Sequence, residues 1–257
     1  MYKKLGLIAA VLAVAIALYL LTVYKPWQRG TAPEDPPLAE QPQTGQESTP
    51  YVSPIDFQAL QRQNPDIYAW LDIPGTEISY PVVQNEDDTY YLKRDTDGNH
   101  SENGSIFSES AYNGRSGDDA AVVLYGHHMR SGAMFGNLQQ LFSDPASFSE
   151  HSELVLYYPD REQHYEVFAA VPYDNRHILY TYNFENQRMR SAFLESIYDV
   201  RAIGAVLNAD AFPGEGDQLL ILSTCLQGDN RQRYLVLGKY TGDNSDTAIS
   251  GTKEETI

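Results

Sequence analysis

Apolar and polar positions divide the chain into stretches of very different character. Residues 5–24 form an uncharged, almost wholly apolar run. At about 1.5 Å per residue, a helix of that length spans about 30 Å, the hydrocarbon thickness of a bilayer. Lys3 and Lys4 precede the run, so the positive-inside tendency places the N-terminus in the cytoplasm and the rest outside. The run exceeds the apolar region of a cleaved signal peptide, and no clean A-x-A site follows it. Residues 1–29 therefore read as a cytoplasmic stub with a single-pass cell-membrane anchor. Residues 30–54 are rich in Pro, Gln, Thr, Gly and Glu, with almost no large apolar residue. Such a segment cannot bury enough surface to offset its ordering entropy, which predicts a flexible extracellular stalk. Residues 241–257 read as a disordered polar tail.

Residues 55–240 carry the pattern of a folded domain. Over Asp56–Trp70 the apolar positions Phe57, Leu60, Ile67 and Trp70, interrupted at Asn64-Pro65, predict two short helices, the first capped by Ser53-Pro54. From there the pattern becomes that of strands. Trp70–Ile73, Ile78–Val83 and Tyr90–Leu92 are predicted strands, with Pro74-Gly75 as a turn. Ile106–Phe107 follows, and Ala120–Tyr125 is apolar on both faces, which predicts a central, buried strand. Met134, Phe135, Leu138, Leu141 and Phe142 have helical spacing suited to core packing. Glu153–Tyr158 and His164–Tyr173 flank Pro159-Asp160-Arg161 as a hairpin. Asn183 is the expected cap of an amphipathic helix with a stripe of Met189, Phe193, Ile197 and Val200. Alternation and turn signals thus give a β-rich domain with a few helices.

The last apolar run ends on the only cysteine: LLILSTC, a polar loop, then Arg233 opening the strand Tyr234–Leu237. One cysteine excludes an intramolecular disulfide and a multi-Cys metal site. Lone thiols are often small buried apolar groups. As a nucleophile, a thiol with a pKa near 8.5 is only a few per cent ionised at neutral pH and needs a histidine partner distant in sequence. His127 closes a similar strand, AAVVLYGHHM, and suits general acid and base work. Arg233 has planar, permanently charged donors suited to a substrate carbonyl or an oxyanion. His128 is the neighbouring candidate, but adjacent strand residues face opposite ways, so only one of the two histidines points at the cysteine. The same divergence argues against the two as metal ligands, and no metal or other cofactor is expected. Ser223, Thr224 and His128 are the substrate-pocket candidates. His100, His151, His164 and His177 sit in loop or hairpin contexts and read as surface residues. With 18 Lys and Arg against 35 Asp and Glu, a net charge of -17 argues against a nucleic-acid partner.

LSTC with Arg eight residues after the Cys, and YGHHM followed by MFGNL, resemble the sortases, membrane-anchored cysteine transpeptidases of Gram-positive bacteria. WLDIPGTEISYPVVQ, GSIF and the long insertion before the Cys strand are most similar to class B. Ile221 stands where the family usually has the Thr of TLSTC. The resemblance implies a mainly β fold with peripheral helices: a closed β-barrel of about eight strands, N-terminal helices, and a long helix before the Cys strand that helps wall the groove. It assigns catalysis to His127, Cys225 and Arg233. It implies secreted partners bearing a C-terminal sorting signal of the NPxT-x or related P-x-T type, held as a thioester on Cys225. An amine of a peptidoglycan precursor, or a pilin lysine, would then accept them. Some sortases use calcium as an activator, yet the acidic loop Glu86–Asp88 reads as a solvated turn. The competing expectations are an exported cysteine peptidase that only hydrolyses, and an inactive membrane-tethered binding domain on the same barrel.

Overall fold

The apolar runs close a sheet upon itself. The computed structural model describes residues 51–226 and 228–243. Its strands are β1 (Ile67–Asp72), β2 (Ser79–Val83), β3 (Ile106–Phe107), β4 (Ala121–Tyr125), β5 (Glu153–Tyr157), β6 (Glu162–Asp174), β7 (Val206–Leu207), β8 (Leu219–Leu226) and β9 (Asp229–Asp243). The helices are α1 (Phe57–Gln63), α2 (Leu138–Phe142), α3 (Pro145–Glu150), α4 (Ile178–Thr181) and α5 (Gln187–Tyr198). The sheet order is β5-β1-β2-β3-β4-β8-β9-β6-β7, and β5 also pairs with β6. That second pairing closes eight strands into a barrel, with β7 attached to the outside of the cycle on β6. Closure removes the open edges that a sheet would otherwise present.

Strand β4 is apolar on both faces because each face has its own cover. Val122 and Leu124 join Leu220, Leu222, Tyr234 and Val236 in the barrel interior. Ala121 and Val123 join Leu219, Ile221, Leu235 and Leu237 under Phe193 and Ile197 of α5. A third cluster sets Phe57 and Leu60 of α1 on Trp70, Val83 and Phe107. Each fully buried Leu, Ile, Val or Phe contributes about 1.5–3 kcal/mol.

Four local expectations change. The second predicted helix is strand β1: a register shift between Ile67 and Ala69 lets Ile67 and Trp70 share one face, so a bulged strand imitates helical spacing. The N-cap of α1 is Asp56, which accepts from the Ala59 N–H at 2.9 Å, and not Ser53. Tyr90–Lys93 is a 3-10 turn, wound by Asp87, whose side chain accepts from the Thr89 N–H and hydroxyl. The cap of α5 is Asn186, three residues beyond Asn183, whose side chain instead accepts from the Glu185 N–H. The expected cell-membrane localisation is also corrected: among the described residues no helix is long and apolar enough to cross a membrane. Residues 241–243, expected to open the disordered tail 241–257, are the paired end of β9; the run 5–24, the stalk up to residue 50 and the tail from residue 244 lie outside the described residues.

His164 ties β5 to β6 through Nδ1 to Glu153 at 2.8 Å and Nε2 to Glu162 at 3.0 Å. Burial opposes its charge, but the two carboxylate hydrogen bonds and their negative charge outweigh it and raise the imidazole above its ordinary 6.5. A raised folded pKa means stability fully present below about pH 6.5 and lost as pH rises through the folded value. We expect His164→Gln to lower the thermal midpoint more at about pH 5.5 than at about pH 8.5. Equal shifts at both pH values in parallel melts would refute this.

Candidate active site

Strand pairing delivers the candidate side chains. Strands β8 and β9 are antiparallel neighbours with Cys225 opposite Arg233, and Arg233 Nη1 donates to Cys225 Sγ at 3.2 Å. Strands β4 and β8 are parallel, with Tyr125 beside Ser223 and the Gly126 N–H donating to the Ser223 carbonyl at 3.2 Å. Two residues further along each chain come His127 and Cys225. Faces alternate along a strand, so both leave on the face of Tyr125 and Ser223. That is the outer face of the barrel, the one Val123 and Ile221 share with α5.

The imidazole is held from behind. His127 Nε2 lies 2.7 Å from the Leu92 carbonyl oxygen. A carbonyl only accepts, so Nε2 carries the hydrogen and Nδ1 is the nitrogen left for exchange. Gly126 lets the strand end fit: a Cβ there would stand 2.5 Å from Ile106 Cδ1 and 2.7 Å from Phe135 Cδ2.

His127, Cys225 and Arg233 line one cleft of about 280 Å³. Leu92 and Phe107 form part of its apolar wall, and Asn175–Ile178, running from the end of β6 into the first residue of α4, forms another side. Ser223 and Thr224 also line it. Both are buried, and the Thr224 hydroxyl has no hydrogen-bond partner among the described residues. His128 is not brought to the cleft lining. It bridges to Met134 instead, and burial lowers its pKa. The expected groove wall, α5, packs on this same outer face further back along the strands and gives no residue to the cleft. The 3-10 turn and the segment before α4 supply the walls. Among the described residues no group of three His, Cys, Asp or Glu is placed to hold a metal ion.

Two cleft residues escape the sequence reading. His177, expected at the surface, lines the cleft together with Glu109, and its Nε2 lies 2.9 Å from Glu109 Oε2 and 3.0 Å from Oε1. These residues are 68 apart. No local pattern signals such a pairing; only the register that sets Tyr173 beside Arg233 places the end of β6 next to the cysteine strand.

The match to known proteins covers the stretch of chain in which these residues lie. The family model for the sortase domain matches residues 71–241. Sortase B of Listeria monocytogenes is 30% identical over 178 residues, covering 66% of this chain and 67% of that protein. Sortase B of Staphylococcus aureus is 28% identical over 187 residues, covering 71% and 73%. The crystal structure of sortase B from B. anthracis in complex with AAEK1 superposes with a TM-score of 0.64 at 28% identity, covering 80% of this chain and 90% of that one. A family match over well over half of the chain, carried on a closed eight-strand barrel, means that this protein belongs to the sortase family of cysteine transpeptidases and is most like class B.

Proposed function

We propose that the domain 55–240 cleaves a C-terminal sorting signal of the NPxT-x or related P-x-T type through a thioester on Cys225. It then passes the acyl group to an amine of a peptidoglycan precursor or a pilin lysine. The observation that carries this reading is the Arg233 guanidinium donating to the Cys225 sulfur in a cleft that His127 also lines. The thiolate attacks the carbonyl carbon after the Thr. Arg233 Nη1, already at the sulfur, then faces the oxygen that gains charge. His127 protonates the departing amine through Nδ1 as the C–N bond breaks, leaving the thioester. In the second half the incoming amine attacks, its proton passes to Nδ1, and the sulfur leaves as thiolate.

The test uses the full chain and a panel of P-x-T peptides, each with and without triglycine, followed by intact mass and peptide mapping. An acyl adduct mapped to Cys225, together with triglycine-ligated product, is expected. Release of peptide acid at a rate that triglycine does not alter, with no ligated product, would instead make the protein a peptidase. A folded protein with no adduct for any peptide, and a Cys225 inert to alkylation, would sink the catalytic reading.

A further inference from the structure

A guanidinium taken out of water normally meets a carboxylate, because an unpaired buried charge is costly. Arg190, in the first turn of α5, meets none. It is only 5% exposed, yet no ion pair among the described residues includes it, whereas Arg115, Arg161, Arg176 and Arg231 each pair with an aspartate. Its place on the helix accounts for this. Residues three and four apart are neighbours on a helix, and for Arg190 these are Asn186, Gln187, Phe193 and Leu194, none of them acidic.

The partners that Arg190 does have are backbone carbonyls. Nη2 donates to the oxygen of Gly214 at 3.3 Å and to that of Asp217, which ties α5 to the loop before β8. Nε is buried with no partner among the described residues, and Nη1, also without one, is the nitrogen that solvent reaches. Burial pulls the guanidinium below its ordinary pKa, and the Asp217 charge opposes this only in part. The Asp217 carboxylate is itself occupied by the Gly214 N–H at 2.8 Å.

Arg190 lines a cavity of about 390 Å³ between α5 and residues 212–215, which shares no residue with the Cys225 cleft. Leu194, Phe212 and Pro213 give it an apolar wall, and Tyr198 stands edge-on to Phe212 at 5.6 Å. Glu195, Asp199 and Glu215 also line it, and all three are exposed. One inner cation therefore faces an apolar wall and an outer set of carboxylates. A simple anion would suit Arg190 but meet three like charges, and a simple cation would leave Arg190 unpaired. A ligand that carries both charges answers both ends.

We infer that this cavity binds a zwitterionic apolar amino acid or dipeptide, with its carboxylate on Arg190 Nη1, its ammonium among the outer carboxylates and its side chain against Leu194 and Phe212. Binding there needs no part of the Cys225 cleft.

The test is calorimetric titration of the full chain with leucine and with leucyl-leucine. Each is run beside its C-terminal amide, which lacks the negative charge, and its N-acetyl form, which lacks the positive one. The amide is expected to bind at least about tenfold more weakly than its parent, the loss of a charge-assisted contact to a buried partner. The N-acetyl form is expected to bind about threefold more weakly, since the exposed carboxylates are screened. Arg190→Gln is expected to bind parent and amide alike, a change in selectivity that loss of the loop contacts alone would not produce. Should that variant not fold, the triple variant Glu195→Gln, Asp199→Asn, Glu215→Gln, changed only at exposed positions, is expected to bind parent and N-acetyl form alike. The tighter of the two parents sets the length of the ligand. Equal binding of parent and amide by the wild type, no binding of either parent, or a preference for the parent that survives Arg190→Gln would overturn the site. N-acetyl-leucine or acetate bound as tightly as leucine would make it a plain anion site and overturn the zwitterion assignment.

Discussion

Cys225→Ala is expected to leave a folded barrel that forms no acyl-enzyme and transfers nothing, a loss of about 10⁴-fold or more. Arg233→Lys is expected to cost about 10²–10³-fold in kcat/KM while the acyl-enzyme still forms slowly. The asymmetry follows from what each change removes. Cys225 is only partly buried at the end of β8, outside the three core clusters, so trimming it should shift stability by no more than about 1 kcal/mol. Its sulfur is the only cysteine nucleophile in the chain. Lysine at position 233 preserves the charge but replaces a planar set of donors with a flexible point charge, and the Nη1 contact to Sγ at 3.2 Å needs that planar reach. Rapid-quench acylation and steady-state transfer, read beside a urea melt, separate the two. Near wild-type transfer in Arg233→Lys would show that charge alone suffices and that oxyanion geometry is set by another donor.

The sequence carries the barrel centre and the ends of its central strands plainly, and the periphery less so. Strand β4 and the β8–β9 pair are legible because their residues are apolar on alternate positions of both faces, a pattern that only a covered strand can sustain. Alternation limits the choice between His127 and His128 to one of the two, the resemblance assigns His127, and His127 is the one that lines the cleft. The bulge at Ile67 and the Asp87 turn are local events whose residues satisfy two patterns at once, so periodicity alone names the wrong element. Glu109 and His177 are hidden for a different reason. Each lies in a polar loop, and their meeting depends on the pairing of β6 with β9, whose partners are distant in sequence.

Gly104→Ala tests whether the histidine must be held as firmly as the packing suggests, and its expected effect on transfer exceeds its effect on stability. Gly104 has φ +59, a left-handed conformation that costs an alanine about 1–2 kcal/mol. Sterics add to that, since a Cβ would stand 2.8 Å from the carbonyl oxygens of both Tyr91 and Leu92, and 3.1 Å from His127 Cδ2. These are backbone atoms of the 3-10 turn, which cannot swing aside as a side chain tip can. The Leu92 oxygen is also the acceptor that holds His127 Nε2 at 2.7 Å. A methyl group therefore pushes on both ends of the same hydrogen bond. We expect destabilisation of about 2–4 kcal/mol in urea unfolding. Among the molecules that stay folded, we expect a further loss in kcat of about tenfold or more, because a misplacement of the order of an ångström at the proton carrier is costly. Measurement at a temperature well below the midpoint keeps the two effects apart. If the folded fraction of Gly104→Ala transfers at the wild-type rate, the Leu92 carbonyl is not what sets the imidazole, and Nε2 is free to take part in the chemistry itself.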